Sequence, residues 1–153
     1  MEKMIIRPAT PDDLDKLLTF EQGIITTERP FDVTLREGHI NYYDIAKMIT
    51  ADNVEVAVAE LDSEIIGSGY ARIDDSKDYL KYAQHAYLGF MYVDPKYRGK
   101  GVNQQIIEYL KQWALSKNLT ELRLEVYDEN LPAIKAYEKV GFSKLLVQMR
   151  LGI

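Results

Sequence analysis

The clearest chemistry in this chain lies in one short run, Arg98-Gly99-Lys100-Gly101-Val102-Asn103. A strand-like apolar stretch, residues 87–93, ends at Asp94-Pro95, and two glycines then stand among basic residues. Beyond them Val102, Ile106, Ile107, Leu110, Trp113 and Ala114 recur at helical spacing. Glycines let the backbone come close to a ligand. The first N–H groups of a helix have no partner inside it, and the helix dipole favours negative charge there. A loop of this layout binds an anion. It is not a P-loop, which would read G-x-x-x-x-G-K-[ST], nor a dinucleotide fingerprint, because Gln104 stands where the third glycine of G-x-G-x-x-G belongs.

Other residues could move protons. Glu125 sits in an apolar strand context, Leu122-Arg123-Leu124-Glu125-Val126, where burial would raise its pKa and suit it to accept a proton. Asn130 is a good N-cap and Pro132 fits the first turn of a helix that carries Tyr137. Gly141 suits the left-handed position after that helix, with Phe142 as its apolar anchor. Capping alone accounts for Asn130 and Gly141. His39 and His85 have no partner at a telling spacing, and two distant histidines without cysteine argue against a zinc site.

The elements that must position these residues follow from pattern. Residues 5–7 read as a strand. Thr10-Pro11-Asp12-Asp13 is a helix start, with Leu14, Leu17 and Leu18 on the buried face and an end near Gly23. Residues 24–38 look irregular, and 40–49 read as a second helix. Strands are expected at 54–60 and 65–73 around a turn, then a polar loop at 74–82 and a strand at 86–93. A long helix over 101–117, a strand over 121–126, a helix over 131–140 and a closing strand over 144–151 complete the order. Strands first, then strand and helix in alternation, make an α/β chain with a mixed sheet and helices on both faces.

Length and composition set the class. With 153 residues and 46% apolar content the chain can bury one substantial core. The formal net charge of -5 argues against broad nucleic-acid binding and suits a cationic partner. There is no cysteine, which excludes disulfides, thiolate-bound metals and an acyl-cysteine intermediate. No apolar run reaches membrane-spanning length and no signal-peptide core stands at the start, so a cytoplasmic protein is expected, with no membrane partner and no metal.

Arg98-x-x-Gly101-x-Asn103 closely resembles the [Gln/Arg]-x-x-Gly-x-[Gly/Ala] loop of the GNAT N-acetyltransferase superfamily. The stretch from Leu124-Glu125-Val126 through Asn130-x-x-Ala133 and Tyr137-Glu138-Lys139 to Gly141-Phe142 resembles that family's other signature. Either one alone is short; the two in this order are specific. The resemblance runs from residue 4 to 151. It implies one GNAT-like domain over 1–153 and direct transfer of an acetyl group from acetyl-coenzyme A to a primary amine of a small molecule or a protein.

Residue by residue, the resemblance implies that backbone at Met91, Tyr92 and Val93 holds the pantetheine arm. Arg98, Gly99, Lys100, Gly101, Val102, Asn103 and Gln104 would hold the pyrophosphate, and Asn130 would also bind the arm. Tyr137 would protonate the departing thiolate, and Glu125 would take the proton of the substrate ammonium. Asn103 departs from the usual Gly or Ala: it either donates to a phosphate or crowds the loop. The acceptor pocket would be shaped by residues 24–50 and the region near Val147. The segment holds Glu28, Arg29, Phe31, Asp32, Glu37, Tyr42, Tyr43 and Asp44, and its acids with aromatics suit a cationic amine and equally suit a solvated loop. Homodimers are common in the family. Two other readings stand beside the enzyme: a non-catalytic acetyl-coenzyme A-binding sensor or interaction module of the same fold, and an unrelated nucleotide-binding α/β domain.

Overall fold

The computed structural model describes residues 3–153. Five strands form one sheet in sequence order: β1 (Met4–Pro8), β2 (Val54–Leu61), β3 (Glu64–Asp75), β4 (Gln84–Val93) and β5 (Leu122–Arg123). The first four pair antiparallel and β5 joins β4 in parallel, so the sheet is mixed. The helices are α1 (Leu14–Glu28), α2 (Ile45–Thr50), α3 (Val102–Ser116) and α4 (Leu131–Lys139).

Alternation along the strands divides the core into two layers. Val54, Val56 and Val58 face Leu17, Phe20 and Ile24 of α1 and Ile45 of α2. Ala57 and Ala59 face the other way, toward Ile106, Ile107 and Leu110 of α3, and Tyr137 of α4 packs against that second layer. Helices therefore cover both faces, as the order of elements implied. Asp13 fixes the entry to α1: it accepts from the Thr10 N–H (2.8 Å) and from both ends of the Arg7 guanidinium (2.9 and 3.0 Å), and Arg7 also reaches Glu60 on β2 (3.2 Å).

Three expectations fail for identifiable reasons. First, α1 does not end at Gly23 but runs to Glu28. Gly23 is a contact residue, because a Cβ there would lie 2.8 Å from the Tyr92 ring. Second, α2 is shorter than residues 40–49. The buried Glu21 carboxylate takes the Tyr42 and Tyr43 N–H groups and the Asn41 amide (2.8 Å each), which holds 41–43 out of the helix. Asp44 then caps α2 through the Lys47 N–H. Third, β5 is only two residues long rather than 121–126, and residues 144–151 form no strand.

Candidate active site

β4 contains a bulge that the sequence pattern did not show. Tyr70 of β3 opposes Gly89 and Ser68 opposes Tyr92, so β4 carries one residue more than its partner over this stretch. Phe90 absorbs it with φ 56°. The extra residue flips the alternation. Ala86 and Leu88 face α3, whereas Phe90 packs on the α1 side and Met91 and Val93 return toward α3. The buried Ser68 hydroxyl donates to the Phe90 carbonyl (3.0 Å) across the bulge. Glycines flank it because side chains already fill the space: a Cβ on Gly89 would lie 2.5 Å from Tyr70, and one on Gly69 2.6 Å from the Met91 sulfur.

β5 leaves β4 at the same level. The two pair only at Ala86–Leu122 and Tyr87–Arg123, and no further pairing joins them. The edge of β4 at Met91, Tyr92 and Val93 is thus left without a strand partner, and the gap beside it can take an extended ligand as an added strand.

The loop after β4 sits at one end of this gap. Asp94 accepts from the Lys96 N–H (3.0 Å), and Arg98 Nε donates to the Val93 carbonyl (3.1 Å) with its guanidinium over the Tyr92 ring. Gly99 and Gly101 are left-handed (φ 77° and 80°), and Gly101 caps α3. A Cβ on either would meet no protein atom within 4 Å, so the surroundings are open. The first α3 N–H to find a backbone acceptor is that of Gln105, on the Gly101 carbonyl (3.2 Å). The N–H groups of Val102, Asn103 and Gln104 are left for a ligand. Unpaired donors, left-handed glycines and open space fit a pyrophosphate.

A second set of titratable groups is linked by hydrogen bonds and charge. Tyr137 is half-buried, edge-on to Phe142 (ring centres 5.8 Å apart). Burial, with the Glu28 carboxyl nearby, pushes its phenol up to about 12, so it stays protonated at neutral pH. Burial also raises the Glu28 carboxyl at the end of α1. The Tyr42 hydroxyl is buried beside Glu28 without a hydrogen-bond partner among the described residues, and its pKa is pushed well up by burial and then by that carboxylate. Tyr127 donates to Asp32 (2.9 Å) and is raised to about 12 by burial and by this bond. Glu125 accepts from the Tyr87 hydroxyl (3.0 Å), a link from β4 to the chain beyond β5 across the closed end of the gap.

The structure thus brings Met91, Tyr92, Val93 and the loop to one open strand edge, with Glu125 joined to β4 through Tyr87, and packs Tyr137 of α4 on the α3 side. Asn130 caps α4 through the Ala133 N–H (3.4 Å). Glu125 is exposed, not buried as its apolar neighbours suggested, because β5 ends two residues before it. Sequence reasoning placed Glu28, Asp32 and Tyr42 only in a candidate acceptor segment, and it missed Tyr87, Tyr127 and Glu21. A polar Glu21 within the apolar face of α1 was the available signal for the last.

Residues 22–142 match the acetyltransferase (GNAT) family, and the chain belongs to it. A streptothricin acetyltransferase of Escherichia coli is 35% identical over 85 residues, which make up 56% of this chain and 45% of that relative. The chain thus spans less than half the length of that relative. Among solved structures, a tetramutant of a Bacillus halodurans protein superposes with a TM-score of 0.85 at 19% identity, covering 97% of this chain and 99% of its own. A predicted acetyltransferase of Clostridium acetobutylicum, solved with acetyl-coenzyme A, superposes at 0.69 with 21% identity, covering 98% and 96%. At these identities the likeness establishes the fold.

Proposed function

We propose that this chain is an acetyl-coenzyme A-dependent N-acetyltransferase that passes the acetyl group directly to a primary amine. The observation that carries the reading is the gap between β4 and β5. It has unpaired helix N–H groups at one end and Glu125, held by Tyr87, at the other, and a half-buried phenol, Tyr137, has the Glu28 carboxyl near it. The α3 N–H groups, with Arg98 and Lys100, suit the pyrophosphate of coenzyme A. Met91, Tyr92 and Val93 offer a strand edge to the pantetheine arm, and a β4 N–H would stabilise the thioester oxygen as it gains charge, an effect worth ~3 kcal/mol in other enzymes.

The amine enters from the α1 side. Its nitrogen attacks the acetyl carbonyl, the C–S bond breaks, and the thiolate takes the Tyr137 proton. The substrate ammonium must first lose a proton, since an alkylamine has a pKa of ~10.4. Glu125 and Glu28 both stand near the gap. Burial favours Glu28 as the acceptor, because a raised carboxyl pKa lies nearer the working pH. Acids among tyrosines favour a cationic acceptor, and its identity as small molecule or protein is a matter for screening. Thiol release from acetyl-coenzyme A with a panel of amines tests the reading. Release that depends on the amine supports it; no release above background with any amine overturns it.

A further inference from the structure

Phe90, at the β4 bulge, holds a left-handed backbone (φ 56°), where a residue with a side chain is strained. Such a residue persists only where its surroundings over-determine it. The strand register gives neither Phe90 nor Met91 a partner on β3: Tyr70 opposes Gly89, Ser68 opposes Tyr92, and Gly69 stands between. Two contacts hold the bulge instead. The Phe90 ring is buried, its centre 5.3 Å from that of Tyr43. The Ser68 hydroxyl donates to the Phe90 carbonyl at 3.0 Å.

Ser68 is aimed at the bulge by its neighbours. A Cβ on Gly67 or Gly69 would lie 3.2 or 2.9 Å from Ile106, so both glycines face α3. Ser68, between them, faces the other way, into the layer that holds Phe90. It is fully buried. A buried hydroxyl costs free energy unless it is hydrogen-bonded, and the bond it makes goes to the bulge.

That bond fixes the direction of one peptide. The unit between Phe90 and Met91 is trans, so its C=O and N–H point opposite ways. The C=O is turned to Ser68 on β3. The Met91 N–H is therefore turned away from β3, to the side on which β4 has no strand partner beyond Tyr87. We propose that Ser68 is a positioning residue: by holding the Phe90 carbonyl, it aims the Met91 N–H at the thioester oxygen of acetyl-coenzyme A. Ser68 itself does not touch the ligand. As the amine attacks, the oxygen gains charge, and a donor already fixed in direction needs no reorganisation. The inference rests on the acetyl-transfer reading and adds to it a residue of the neighbouring strand on which the donor depends.

Isotope-edited infrared spectroscopy, with acetyl-coenzyme A labelled at the acetyl carbonyl, reads this donor, because a hydrogen bond lowers the carbonyl stretch. The stretch should fall when the ligand binds the unsubstituted chain. In Ser68→Ala most of that fall should be lost, while calorimetric affinity for coenzyme A without its acetyl group stays nearly unchanged. A merely structural loss would weaken both ligands alike. With an amine taken from the thiol-release panel, kcat should fall about tenfold or more at little change in KM for acetyl-coenzyme A. Ser68→Cys keeps a side chain of similar size with a weak donor, so its carbonyl stretch should lie between the other two, and it carries the test if Ser68→Ala does not fold. A stretch that does not fall on binding, or that falls equally in the unsubstituted and substituted proteins, would overturn the proposal and leave the acetyl-transfer reading standing. Failure of the unsubstituted chain to bind acetyl-coenzyme A would overturn both.

Discussion

Tyr137 and Glu28 make the residue-scale account sharp, because they are given opposite tasks. A phenol raised to about 12 keeps its proton at neutral pH and can give it to a thiolate. Tyr137→Phe should therefore lower kcat by ~100-fold or more while leaving acetyl-coenzyme A affinity nearly unchanged; an unaltered kcat in steady-state assays would remove Tyr137 as the acid. Glu28 must lose its proton to act. Its raised pKa should appear as the acid limb of the kcat/KM profile, above the ordinary carboxyl range, and that limb should disappear in Glu28→Gln but persist in Glu125→Gln. The reverse pattern would return the role to Glu125. The same burial works against folding: a carboxyl raised in the folded state weakens stability above that raised value, and the penalty is relieved as pH falls through it toward the unfolded value. Glu28→Gln should accordingly leave the thermal midpoint equal or higher. Tyr137, Glu125 and the loop could be singled out in the sequence because their neighbours form a spaced pattern. Glu28 stood there only within the acceptor segment, because the burial that raises its carboxyl comes from packing that sequence spacing does not show.

Elements position these groups by devices that periodicity only partly reveals. Glycines at 99 and 101 were readable, and their left-handed backbone explains them. Because a Cβ there meets no protein atom, Gly101→Ala should cost only the conformational strain, about 1–2 kcal/mol. Its larger effect should be on ligand: calorimetric affinity for acetyl-coenzyme A should fall several-fold, and an unchanged affinity would mean that the loop does not approach the ligand. Glu21 shows what pattern reading misses, since a buried carboxylate replaces helix hydrogen bonds for residues 41–43. Glu21→Ala leaves three donors without an acceptor and should cost about 3 kcal/mol in denaturant unfolding. It should raise KM for the amine more than KM for acetyl-coenzyme A, because Tyr42 and Tyr43 sit on the segment it holds. The β4 bulge was invisible for a related reason: Tyr87 through Val93 is apolar on both faces, so a one-residue slip leaves no mark on hydropathy.

At the scale of the whole molecule, the sheet divides labour between its faces. The α3 and α4 side carries Tyr137 and the start of the helix after the glycine loop, and the α1 and α2 side carries Glu28 and Tyr42. The order of elements through α4 was legible because each helix and strand has its own period and caps. The fate of the closing strand was not, since alternation says that a segment suits a strand but not whether a free strand edge stands beside it. No helix among the described residues is long and apolar enough to cross a membrane. Calorimetric titration with acetyl-coenzyme A beside ATP and NAD probes the gap and its basic loop at once. Saturable binding of acetyl-coenzyme A, at least tenfold tighter than either nucleotide, is the predicted result. No binding, or equal binding of all three, would contradict it.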